Sequence, residues 1–155
     1  MTTAPARINQ PANDLTTEEL AQVNLTHLSD LLRDWRALAP GRTLAQAKTP
    51  DEVRHSLSTL RQLSQTGEPL EVLAIVKRLL AMYPSKGDRP DSVAEDWVRV
   101  LMEHPVGSIW AAYEKHIRRP GQWAPSLGDF LQSVRLHAGT VNSVRLSLQK
   151  EGQGA

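Results

Sequence analysis

Apolar residues recur along this chain at spacings of three and four, and almost nowhere do they alternate with polar ones. In TTEELAQVNLTHLSDLLRDWRAL, the residues Leu20, Val23, Leu28, Leu31, Trp35 and Leu38 fall on one broad face. That periodicity predicts an amphipathic helix. Thr16 and Glu19 stand at capping-box spacing before it, and Pro40-Gly41 closes it. A second helix is predicted over TPDEVRHSLSTLRQL, with Thr49 as cap, Pro50 at the first helical position and Glu52 completing a box. Its expected apolar stripe is Val53, Leu57, Leu60 and Leu63, and Gly67 is expected to end it.

The third segment, PLEVLAIVKRLLAMYP, is apolar over more than half of its circumference, through Leu70, Leu73, Ile75, Val76, Leu79, Leu80, Met82 and Tyr83. Such a helix is expected at the centre of a bundle. Pro84 ends it and SKGDRP reads as a solvated loop. A fourth helix, DSVAEDWVRVLMEH, has Ser92 and Glu95 at capping-box spacing and an expected buried face of Val93, Trp97, Val100 and Leu101. Pro105 opens a fifth, in which Ile109, Ala112, Tyr113, His116 and Ile117 share a side, and Pro120-Gly121 breaks the chain again. In the sixth, Ser126 caps and Leu127, Phe130, Leu131 and Val134 follow at i, i+3, i+4 and i+7. Around Leu136 and Gly139 its end is ambiguous: VNSVRLSLQK reads either as a continuation or as a separate short helix. Strand signals are nearly absent. The expectation is an all-α bundle of five to six helices. Residues 1–14 are expected to form a loose arm, 15–66 an N-terminal helical pair and 67–150 a C-terminal bundle, with KEGQGA an unordered tail.

Composition narrows the chemistry. The chain has 155 residues, no cysteine and a formal net charge of +1. Disulfides, thiolate metal sites and a cysteine nucleophile are thereby excluded. Near-neutral charge argues against a whole-surface nucleic-acid binder. No apolar run reaches the ~18 residues of a membrane span, and MTTAPARINQPAND lacks the apolar core of a secretory signal. A cytoplasmic protein with no membrane association is expected. The five histidines form no metal-binding pair, and no phosphate loop or nucleophile elbow occurs. No cofactor and no enzymatic activity are expected.

The segment KHIRRPGQW carries the most distinctive chemistry. Lys115, His116, Arg118 and Arg119 crowd a helix C-terminus just before Trp123. Cations there complement the helix dipole, and the same group next to an aromatic side chain also suits phosphate contact with base stacking. From Trp97 to Lys150 there are seven Lys and Arg against three Asp and Glu, so weak DNA contact stays open. Trp123 precedes Ala124-Pro125-Ser126, where it reads either as a staple folded back on Phe130 or Leu127 or as an exposed binding residue.

One family pattern is similar. The order AMYP, a polar loop, WVRVLMEHP, IWAAYEKHI and WAPSLGDFL resembles the phage replicative-helicase loader/inhibitor family over residues 72–136. The matching positions are Tyr83, Pro84, Trp97, Leu101, Pro105, Trp123, Pro125, Ser126 and Leu127. The resemblance implies a phage or prophage replication accessory protein that binds a replicative DNA helicase and affects its loading or activity. Family members carry the helical bundle first and a long tail after it, whereas here some 70 residues precede the similar segment. The expected partner contacts are Leu31, Leu32 and Trp35 at the end of the first helix, with Arg118, Arg119 and Trp123. The alternatives are a DNA-binding regulator and an inhibitor of another host protein by surface occlusion.

Overall fold

The computed structural model describes residues 23–38, 49–83, 91–118 and 124–154. Within them the chain is all-α: α1 (Thr26–Ala37), α2 (Pro50–Leu63), α3 (Pro69–Ala81), α4 (Asp91–Leu101), α5 (Val106–Arg118) and α6 (Leu127–Gly154). None is long and apolar enough to cross a membrane. One hydrophobic cluster draws on all six helices, from Leu25 and Leu28 to Val141 and Leu148.

Local chemistry sets most of the starts. The Glu52 N–H donates to Thr49 Oγ1 at 3.2 Å, and Pro50 occupies the first turn of α2. The Asp129 N–H donates to Ser126 Oγ at 3.1 Å, so Ser126 caps α6. At α3 the Glu68 N–H donates to Glu71 Oε1 at 3.0 Å, a capping box around Pro69. Ser92, in contrast, is no cap, because α4 has already begun at Asp91. The first helix begins at Thr26, whose N–H donates to Asn24 Oδ1 at 2.9 Å. The Thr16–Glu19 box, Leu20, the 1–14 arm, Pro40-Gly41, the SKGDRP loop and Pro120-Gly121 lie outside the described residues.

Packing revises several expected faces. In α2 the buried residues are Ser56, Thr59, Leu60 and Leu63, while Val53 and Leu57 are only half-buried. The helix has rotated toward its neighbours α1, α5 and α6, and small side chains at 56 and 59 allow the close approach. Gly67 does not close α2, which stops at Leu63 with Ser64 as C-cap. It lies instead against α5: a Cβ there would come within 2.7 Å of Val106. The Val106 N–H donates to the Gln65 carbonyl at 3.0 Å, which ties the α2–α3 connection to the start of α5. In α5, Ile117 is 42% exposed and His116 half-buried, so the expected apolar side ends at Ala112 and Tyr113.

The third segment is as apolar as its sequence demands. Val72, Leu73, Ala74, Ile75, Val76 and Leu79 are buried, and each large member contributes about 1.5–3 kcal/mol of transfer free energy. It is not the hub, however. α3 packs chiefly on α4 and α5, whereas α5 touches α1, α2, α3 and α6.

α6 resolves the ambiguity at Leu136 and Gly139. It is one helix of 28 residues that runs on through the expected tail to Gly154. Phe130, Val134, His137, Val141, Val144 and Leu148 follow at alternating spacings of four and three and turn inward, the geometry of a coiled-coil seam. The ring of His116 stacks on Phe130 and the His137 ring bonds Ser108, so α6 runs antiparallel to α5. Past Ser108 it outruns α5 and covers α2.

Candidate functional site

The antiparallel α5–α6 pair and the C-terminal half of α1 enclose a groove of about 430 Å³. Leu32, Trp35, Ala111 and His137 form its apolar and aromatic floor; Arg36, Glu114, Lys115 and Arg118 form its rim. Helical spacing explains the rim. Glu114 and Arg118 are i, i+4 on α5 and therefore neighbours on one face. Arg36 follows Trp35 on α1, so burying the indole brings the guanidinium to the groove edge.

Glu114 organises these charges. Its carboxylate pairs with Arg36 across 78 residues of sequence and accepts from Arg118 at 3.5 Å. Its other oxygen accepts from the Trp110 indole N–H at 3.0 Å. The Glu114 side chain is only 15% exposed, so one half-sunken carboxylate orients two guanidinium groups. With Lys115 the rim holds three cations against one anion. Arg has five N–H donors, so both arginines retain outward donors after pairing.

His137 forms the inner wall. Its Nδ1 shares a hydrogen bond with Ser108 Oγ at 2.9 Å, and its ring meets Trp35 edge-on at 5.6 Å. Burial, aided by the Arg36 charge, lowers its pKa below the ordinary imidazole value, so the ring is neutral at pH 7. His116, on the neighbouring face of α5, is also lowered, by burial and by Lys115, with Asp129 opposing. Ser108 and His137 together form a nucleophile–imidazole pair. Ser108 is completely buried, so its hydroxyl fixes the seam and meets no substrate. Among the described residues no group of three His, Asp or Glu stands close enough to hold a metal ion.

Three of the sequence-selected contacts, Leu32, Trp35 and Arg118, meet in this groove. Leu31 is half-buried against the core and does not line it. Arg119 and Trp123 lie outside the described residues, and so does the choice between a packed and an exposed Trp123. Arg36, Glu114 and His137 were not selected. The i, i+4 spacing of Glu114 and Arg118, and a polar residue at 137 on an otherwise apolar seam, were the signals available. No protein-family model, curated protein or solved structure matches the chain.

Proposed function

We propose that this chain is a non-enzymatic binding module that docks a partner protein across the α1–α5–α6 groove. The observation that carries the reading is the convergence of Arg36 and Arg118 on Glu114 above the floor of Leu32 and Trp35. An aromatic and aliphatic floor accepts an apolar anchor, and a rim of preorganised arginines selects acidic neighbours to that anchor. The fitting partner segment is therefore acidic with an apolar side chain at its centre. The sealed Ser108 hydroxyl supports a binding role over a catalytic one. The resemblance of residues 72–136 to phage helicase loaders and inhibitors supplies the partner, a replicative DNA helicase whose loading or activity the module affects.

The test is calorimetric titration of the replicative helicase from the organism that carries this gene. The wild type is expected to bind, and the Lys115→Gln/Arg118→Gln double variant to bind at least about tenfold more weakly with its melting temperature lowered by no more than a few degrees. Both substituted residues are exposed, so folding is not at stake. No binding, or equal binding by the double variant, rejects the reading. Salt-dependent retardation of DNA in place of helicase binding favours the DNA-binding regulator.

A further inference from the structure

α6 carries a second seam on its outer side. Gln132, Leu136, Gly139, Ser143 and Leu146 also follow at alternating spacings of four and three, opposite the buried seam. Leu136 is 63% exposed and Leu146 is 53% exposed, two of the largest apolar exposures in the described residues. Between them Gly139 stands in mid-helix with nothing within 4 Å of the position a Cβ would take. A helix-interior glycine weakens the helix, and nothing among the described residues uses the opening. Residues 130–149 hold no carboxylate.

We propose that this strip is the interface of a two-fold homodimer in which α6 packs antiparallel on α6 of a second copy. A two-fold interface must be self-complementary, and the strip is so from Leu136 to Leu146. Leu136 and Leu146 each lie five residues from Val141, and Gly139 and Ser143 each lie two. A two-fold axis at the level of Val141 therefore sets each Leu136 against the partner's Leu146 and each Gly139 against the partner's Ser143. Leucine on leucine buries the exposed apolar surface, and glycine on serine lets the backbones approach closely. Charge agrees with this orientation. Arg135 flanks the strip, and the antiparallel arrangement separates the two copies of it by about 18 Å along the axis at ~1.5 Å per residue, beyond a Debye length. A parallel pair would bring them level. The area sets the strength. A strip of one helix about 10–12 Å across offers a few hundred Å² per copy, short of the ~800 Å² per partner of a standard interface. The dimer therefore forms at high concentration and dissociates on dilution.

Sedimentation equilibrium of the full chain from about 5 to 500 µM tests this. The weight-average mass is expected to climb from 17.2 kDa toward twice that value, and Leu136→Glu is expected to remain monomeric throughout. Because residue 136 is exposed, its circular dichroism and melting temperature at low concentration stay those of the wild type. An equimolar mixture of Gly139→Cys and Ser143→Cys chains is expected to oxidise to the mixed disulfide in preference to either homodisulfide. A wild type that stays monomeric at the highest concentration, a Leu136→Glu chain that still dimerises, or preferential homodisulfides overturns the proposal.

Discussion

α3 and α5 have the same length, 13 residues each, and pack against each other, yet they make different walls of the bundle. α3 buries an unbroken apolar run from Val72 to Val76, and its His27–Glu71 link to α1 sits at the edge. α5 buries its first half, from Val106 to Ala112, and then changes character. Its last turn presents Glu114, Lys115 and Arg118 to the groove. The α3 wall is packing throughout; the α5 wall divides between packing and charge. Both walls contribute to the core, but only α5 adds a charged rim to it, and substitutions separate the two contributions.

The largest effect is expected in the sealed wall. Leu79→Ala empties a fully buried position and should lower unfolding free energy by about 2–5 kcal/mol, measured by urea denaturation, while groove binding by the folded fraction is unchanged. In the other wall Glu114→Ala releases Arg36 and Arg118 and leaves the Trp110 indole N–H without its acceptor. A loss of about 1–3 kcal/mol is expected. A loss near zero would mean that the carboxylate does not organise the rim.

Next comes pH. His137 and His116 both have folded-state pKa values below the unfolded one, mainly through burial. Between the two values the unfolded chain binds more protons, so stability rises with pH. It is fully present above the unfolded value of about 6.5 and declines as pH falls from there toward the folded values. Denaturation midpoints at pH 7.5 and 5.0 should show the decline, and His137→Gln should flatten much of it. If the midpoints coincide, the neutral, buried imidazole is wrong.

Smaller effects sharpen the contrast. Gly139→Ala fills open space in the middle of α6 and should stabilise the chain by roughly 0.5–1 kcal/mol at dilution, as seen by thermal melting. Arg118→Ala removes an exposed, long ion pair and should change stability by less than about 0.5 kcal/mol while weakening partner binding.

The residues announced the helices more clearly than the surfaces between them. Thr49-Pro50 and Ser126 mark starts because a cap is a contact within one turn of sequence. The face of α2 was not legible, since Ser56 and Thr59 turn inward only when α2 packs beside its neighbouring helices, α1 among them. Gly139 read as a possible break because a lone glycine costs about 1 kcal/mol in a helix; three inward positions on each side of it outweigh that cost. In the groove, Trp35 and Arg118 stood out as an aromatic on an apolar face and a cation in a basic cluster. Arg36, Glu114 and His137 acquire their roles only from the meeting of α1, α5 and α6, which are 78 residues apart at the Arg36–Glu114 pair.

Hydrogen–deuterium exchange of the chain with and without the replicative helicase tests the groove most directly. The proposed docking should slow exchange in residues 32–37 and 111–118 and leave α3 and α4 unchanged. Protection confined to α3 and α4, with the groove exchanging as in the free protein, would contradict it.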